Sequence, residues 1–290
     1  MEQYQREALE AVTTRPRRSY GTIRVEPITP VIGAEVSGVD LTTDLSEEVV
    51  AEIRDAFLDH HVLVFRDQDL TVADHKRTAA HFGELRLVEP PPEHGDPVVL
   101  EVATRRDSKV INGNGWHADG TADDEPSLGS MLHMQQIPET GSGGDTLFAN
   151  MHLAYTLLSP ALRGLLGDLT AVHDGRKAWG SVVPPPGHVI PSSEHPVVIS
   201  HPETARPTLY VNRAYTTRIP QLAQDESDAL LELLFRTVER QAMLHCRVRW
   251  APRTLVFWDN RAVQHHALHD YYPFTRSARR IAINGGPLKG

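Results

Sequence analysis

The feature that most constrains this chain is a set of metal-ligand candidates split between two distant stretches. His117-Ala118-Asp119 stands directly after Trp116, and His265 follows the strand-like run Leu255-Val256-Phe257-Trp258 far downstream. Side chains repeat with period two in an extended segment, so a histidine and a carboxylate two apart can share one face of a strand. One distant histidine then completes two imidazoles and a carboxylate on one face of Fe(II). That arrangement leaves three positions for a chelating co-substrate and dioxygen. With 16 histidines in the chain, the H-x-D spacing carries little weight alone.

The distal half adds to it. Arg276 and Arg280 lie beyond His265, four apart in a segment that also holds Arg279. If the segment is a strand, Arg276 and Arg280 share a face and Arg279 points away. A guanidinium near the metal can grip the far carboxylate of 2-oxoglutarate while the keto acid end chelates the ion. The residues alone leave His265, His266 and His269 as competing ligands. His133 and Gln135, also on one face of a strand, line either the cavity or the core. Asp259 and Arg261 read as a brace for the turn carrying His265.

The 290 residues suit one sizeable domain, with 40% apolar and 23% charged residues as in ordinary globular proteins. Lys and Arg total 29 against 38 Asp and Glu, giving a net charge of −9. A general binder of nucleic acid or anionic membranes needs a basic surface, so those functions are not expected. Cys246 is the only cysteine, which excludes an intramolecular disulfide, a thiolate zinc cluster and an iron–sulfur cluster. No apolar signal core or membrane-length stretch is present, and a cytoplasmic protein is expected.

Residues 1–20 read as a disordered extension and 21–290 as the domain. Residues 22–41 suggest a starting hairpin, Ser46 the cap of a helix, Thr71 the cap of another running toward Phe82, and Ser159-Pro160 the start of a short one. A strong amphipathic helix is predicted over 225–241, with Leu230, Leu231, Leu234 and Val238 inward. The polar stretch 104–115 suits a mobile loop at the mouth of the site. Residues 175–196, with Pro184-Pro185-Pro186-Gly187, are too broken for regular structure and read as a covering insertion. Many short strands with helices at the start and in insertions make a mainly β chain with peripheral helices on a jelly-roll core. No glycine-rich phosphate loop follows a first strand, and no serine nucleophile elbow is present.

Several ordered blocks add specificity: Gly33-Ala34-Glu35-Val36, Val64-Phe65-Arg66-Asp67-Gln68, Phe82-Gly83-Glu84-Leu85, Trp116-His117-Ala118-Asp119, Gly143-Gly144-Asp145-Thr146-Leu147, Tyr215-Thr216-Thr217-Arg218-Ile219 and Trp258-Asp259-Asn260-Arg261 leading to Gln264-His265. From roughly Ile23 to Gly286 the chain resembles the TauD/TfdA group of Fe(II)/2-oxoglutarate-dependent dioxygenases. The resemblance implies a double-stranded β-helix, with Fe(II) on His117, Asp119 and His265, and 2-oxoglutarate and O2 as co-substrates. It implies that Thr146 and Arg276 hold the distal carboxylate of 2-oxoglutarate and that Arg280 reaches an acidic group of the substrate. Val88 falls where the taurine-specific member carries a sulfonate-binding histidine, and Gly120 and Ala122 replace bulkier residues. Asn114 and Tyr210 complete the candidate substrate wall.

The expected reaction is hydroxylation of a small anionic molecule, a carboxylate, sulfonate or sulfate ester, with release of succinate and CO2. Desaturation or another tailoring step on a natural-product intermediate is the alternative, followed by a metal hydrolase or lyase and by a metal-stapled binding protein. A homodimer or tetramer is the family expectation.

Overall fold

The computed structural model describes all residues except 93–94, 109–112, 140, 142, 181–183 and 185–186 and the side chain of residue 179. In chain order the strands are β1 (Arg24–Pro27), β2 (Ala34–Ser37), β3 (Val62–Phe65), β4 (Leu100–Thr104), β5 (Gly129–Gln136), β6 (Thr146–Asn150), β7 (Thr170–Asp174), β8 (Ser192–Pro196), β9 (Val198–Ser200), β10 (Pro207–Leu209), β11 (Thr216–Arg218), β12 (His245–Val248), β13 (Leu255–Asp259), β14 (Val263–Ala267) and β15 (Arg276–Ile283). The helices are α1 (Gln3–Thr13), α2 (Glu47–His60), α3 (Val72–Ala80), α4 (Met151–Thr156), α5 (Pro160–Leu166), α6 (Gly175–Trp179) and α7 (Gln224–Arg240).

Strand alternation builds two cores from one large sheet, ordered β1-β2-β3-β13-β5-β15-β4. Val64, Leu132, Val256 and Trp258 point to one side, where they pack with Phe148, Ala149 and Val263 of the smaller sheet β12-β6-β14. Their neighbours Leu63, Phe65, Met131, Leu255 and Phe257 point to the other side, against Ile53 and Phe57 of α2 and Ala79 of α3. The Phe57 and Phe257 rings stack there at 3.9 Å. The result is the jelly roll expected from the sequence, with its outer face sealed by helices.

The helix starts follow from side-chain caps. Ser46 Oγ accepts from Val49 N at 3.3 Å, with Glu47 and Glu48 beside the partly positive first turn of α2. Thr71 and Asp74 form a reciprocal capping box at α3. That helix stops at Ala80 rather than reaching Phe82, which turns into the outer core. A Cβ at the following Gly83 would meet Ile283 Cγ2 at 2.8 Å, so the close approach requires glycine. In α7, Leu231, Leu234 and Val238 are buried and Leu230 is half-buried against the core.

Two expectations need correction. Part of the expected disordered extension 1–20 is helical: α1 lays Ala8, Leu9 and Val12 on the main core, and Arg15 and Arg18 pair with Asp59. Its apolar stripe is short and interleaved with charges, so local pattern conceals it. The insertion 175–196 begins with α6 and ends with β8, which completes the sheet β11-β7-β8. Tertiary pairing supplies order that the prolines obscure; Pro185 and Pro186 lie outside the described residues, as do 109–112 of the expected mouth loop. No described helix is long and apolar enough to cross a membrane.

Candidate active site

The metal-ligand candidates are assembled by backbone pairing. His117 N donates to His265 O at 3.1 Å and His265 N donates to His117 O at 2.7 Å, an isolated antiparallel bridge between two segments far apart in sequence. The two rings lie 4.1 Å apart. Asp119 Oδ1 sits 3.9 Å from His117 Nε2 and 3.8 Å from His265 Nε2. These distances are too long for hydrogen bonds, and the three ligand atoms, all within 4.8 Å of one another, could hold one metal ion. His266, one residue on, turns to the opposite face against Trp116 at 5.8 Å. His269 lies beside Tyr271 instead.

The surroundings fit a cation. His117 Nδ1 lies 2.9 Å from Gly115 O, a carbonyl that can only accept, so the geometry selects the tautomer with its proton on Nδ1 and Nε2 turned to the other metal-ligand candidates. Burial, with His117 alongside, pushes His265 down to about 3 and keeps its imidazole neutral. Burial opposes charge on Asp119, yet the Arg280 guanidinium holds its carboxyl well below the usual range. Arg280 Nη1 donates to Asp119 Oδ1 at 2.7 Å and Ser130 Oγ donates to Oδ2 at 3.0 Å. Asn260 Oδ1 accepts from Asp119 N at 3.3 Å and from Trp258 Nε1 at 2.9 Å. Neither Ser130 nor Asn260 stands out in the sequence as a site residue, although Asn260 lies in the run Trp258-Asp259-Asn260-Arg261.

Arg276 is the second fixed charge. It is 7% exposed, its Nε has no hydrogen-bond partner, and it enters no ion pair among the described residues. Burial lowers its pKa, with Tyr271 and Asp145 opposing. Asp145 is itself held by Arg247 at 2.7 Å. Trp250 ties this corner together: its ring lies 5.4 Å from Arg276 Cζ, and its Nε1 donates to Thr146 Oγ1 at 3.0 Å. A Cβ on Gly144 would meet Arg276 Cδ at 2.7 Å, and Gly144 has φ +73°. A buried guanidinium without a carboxylate partner among the described residues fits an anion such as the distal end of 2-oxoglutarate.

One cavity of about 470 Å³ is lined by His117, Asp119, His265, Thr146, Arg276 and Arg280, with Asn114 and Tyr215 also on its wall. A second, of about 250 Å³, is lined by Val88, Gly120 and Ala122 and shares Leu100, Asp119, Tyr215 and Arg280 with the first. Arg279 pairs outward with Glu101 at 2.9 Å, as strand parity requires. Tyr210 lines neither cavity, which corrects that candidate. It is buried between His173 and His195, 5.8 and 5.9 Å away, and Tyr215 takes the wall position instead. His133 is a core residue, its Nε2 2.7 Å from Gln68 O, and Gln135 is exposed. Asp259 and Arg261 brace each other at 2.8 Å, with His201 Nε2 3.0 Å from Asp259 Oδ2.

The profile of the family described as taurine catabolism dioxygenase TauD, TfdA family matches residues 24–282. The chain belongs to the TauD/TfdA family. Like its relatives in that family it is a 2-oxoglutarate-dependent non-haem iron dioxygenase, using Fe(II) and O2. This TauD/TfdA chain is 33% identical to an alkylsulfatase of Acinetobacter baylyi, over 92% of its own length and 87% of that protein. It is 32% identical to an alpha-ketoglutarate-dependent sulfonate dioxygenase of Saccharomyces cerevisiae, over 91% of its own length and 68% of that protein. The crystal structure of a taurine dioxygenase from Burkholderia xenovorans superposes with a TM-score of 0.82 at 37% identity, covering 93% of this chain and 92% of that one. Family membership sets aside the hydrolase and metal-stapled binder readings.

Proposed function

We propose that this dioxygenase hydroxylates a small organic anion with a hydrocarbon body, of the alkyl sulfate ester or sulfonate class. His117, Asp119 and His265 hold Fe(II), Arg276 and Thr146 hold the distal carboxylate of 2-oxoglutarate, and Arg280 receives the acidic group of the substrate. The observation that carries the reading is the placement of Arg276 and Arg280 on β15, both lining one cavity with the His-Asp-His group. Two separate cationic grips beside one metal site suit two separate anions.

Bound Fe(II), with 2-oxoglutarate and O2, supplies the oxidation of a substrate C–H bond, and 2-oxoglutarate leaves as succinate and CO2. The protein's part is placement. Trp250 and Gly144 fix Arg276 so that one end of 2-oxoglutarate is anchored away from the metal. Gly115 O holds the proton of His117 at Nδ1, and Ser130 orients Asp119. Arg280 lies where the two cavities meet, so an anionic head there can send its body along Val88, Leu100 and Ala122. Burial of that body contributes roughly 25 cal/mol per Å². Taurine would leave this wall uncovered, and its ammonium would lose hydration.

The test is succinate release with octyl sulfate, hexanesulfonate and taurine as separate substrates. Stimulation by the first or second, with little by taurine, is expected. Efficient taurine turnover, or a best substrate with no acidic group, would overturn the reading.

A further inference from the structure

Beneath the N-terminal helix lies a cavity that the dioxygenase chemistry does not use. It measures about 390 Å³, within the range of small-molecule sites, and is walled by Ala8 and Val12 of α1, His152 and Leu153 of α4, Arg163 of α5 and Arg206 ahead of β10. None of these residues lines either cavity at the metal-ligand group.

Two arginines at this cavity, Arg163 and Arg206, are in no ion pair among the described residues, in a chain of net charge −9. Arg163 Nε is buried without a hydrogen-bond partner, its guanidinium lying 6.0 Å from the Tyr155 ring. Arg206 is depressed below the ordinary arginine value, first by burial and then by Arg15, with Asp59 opposing. His152 is 3% exposed. The Thr208 hydroxyl lies 2.6 Å from its Nδ1 and Pro207 O lies 3.1 Å from the same atom, while Nε2 has no partner. Glu7 also lines the cavity, but its Oε1 accepts from Gln3 Nε2 at 2.8 Å along the same helix and pairs with neither arginine.

We infer that this cavity is a second ligand site, for an organic anion with a short apolar body. The headgroup pairs with Arg163 and Arg206 and the body lies against Ala8, Val12 and Leu153. An unpartnered guanidinium gains a charge-assisted hydrogen bond from such a headgroup, whereas inorganic anions would leave the apolar wall uncovered. Because α1 forms one wall and α4 and α5 the other, the ligand ties the helix to the domain.

Hydrogen exchange of the α1 amides tests this, on full-length protein loaded with Fe(II) and 2-oxoglutarate under nitrogen, with hexanoate as probe and inorganic phosphate as comparison. Hexanoate is expected to slow exchange across α1, and phosphate at the same concentration to leave it unchanged. Arg206→Gln and Arg163→Gln should each raise the half-saturating hexanoate concentration about ten- to a hundredfold while succinate-forming turnover, which reports a folded enzyme, persists. Arg280→Ala should leave the α1 protection intact, which separates this site from the substrate cavity. Absence of protection in the unaltered protein, equal protection in both arginine variants, loss of protection in Arg280→Ala, or equal protection by phosphate would each overturn the inference.

Discussion

His117 and His265 are a cross-strand pair, joined by reciprocal backbone hydrogen bonds of 3.1 and 2.7 Å. Register therefore decides the metal set. A slip of one residue would put His266, now against Trp116, on the side of Asp119 and turn His265 away. The neighbouring pairing of β14 with β6 sets His265 opposite Phe148 and so fixes which face of β14 carries it.

Arg276→Ala should weaken 2-oxoglutarate binding about ten- to a hundredfold, since a charge-assisted pair is worth roughly 1.5–3 kcal/mol and about 1.4 kcal/mol is tenfold. Fe(II) binding should not change. Anaerobic calorimetry on the Fe(II) form measures both, and unaltered 2-oxoglutarate affinity would count against the role given to Arg276.

Gly144→Ala should act on the same property from a residue that need not touch 2-oxoglutarate. The added methyl would meet Arg276 Cδ at 2.7 Å, in a backbone conformation of φ +73° that strains an L side chain. The expected outcome is a KM for 2-oxoglutarate raised severalfold and a stability loss of about 1 kcal/mol or more. Unchanged values of both would mean that the Arg276 corner is looser than its packing implies.

Arg280→Ala should raise KM for an alkyl sulfate far more than KM for 2-oxoglutarate. Because Arg280 also donates to Asp119 at 2.7 Å, some loss of kcat is expected with it. Steady-state kinetics with each substrate varied in turn separates the effects. An equal rise in both KM values would argue against a dedicated substrate grip.

Stability should fall with acid well above the range where carboxylates titrate. Burial holds His75, His152 and His173 down to about 3 in the folded protein. Unfolded, each titrates near 6.5. Below that value the unfolded chain takes protons that the folded chain refuses, so stability present above about pH 6.5 is lost progressively toward pH 3. From pH 7 to 5.5 the three together should cost on the order of 4 kcal/mol, because each group reaches its full slope of about 1.4 kcal/mol per pH unit only below about pH 6.5. Urea midpoints across that interval provide the measurement, and a flat profile would contradict the buried neutral state.

The jelly roll and the His117–Asp119 half of the metal set were legible from local pattern: the continuous apolar run of β13, the alternation of β15, caps at Ser46 and Thr71, and the two-residue spacing of His117 and Asp119, whereas the choice of His265 over His266 and His269 came only with the family resemblance. Features that depend on distant packing were not. Tyr210 and Tyr215 look alike in sequence, and only the path of the chain around β11 sends one toward His173 and the other to the cavity wall. Ser130 carries no signal beyond its strand position, since its partner Asp119 belongs to another segment. The helix α1 was hidden because its few apolar side chains acquire meaning only against the core they cover.

We propose that His117, Asp119 and His265 form the metal site that 2-oxoglutarate completes. The most direct measurement is an anaerobic titration of Fe(II) followed by 2-oxoglutarate, monitored by metal stoichiometry and visible absorption. One Fe(II) per chain and a charge-transfer band on adding 2-oxoglutarate are expected, lost in His265→Ala and kept in His266→Ala. A band that survives His265→Ala and disappears in His266→Ala would contradict the account.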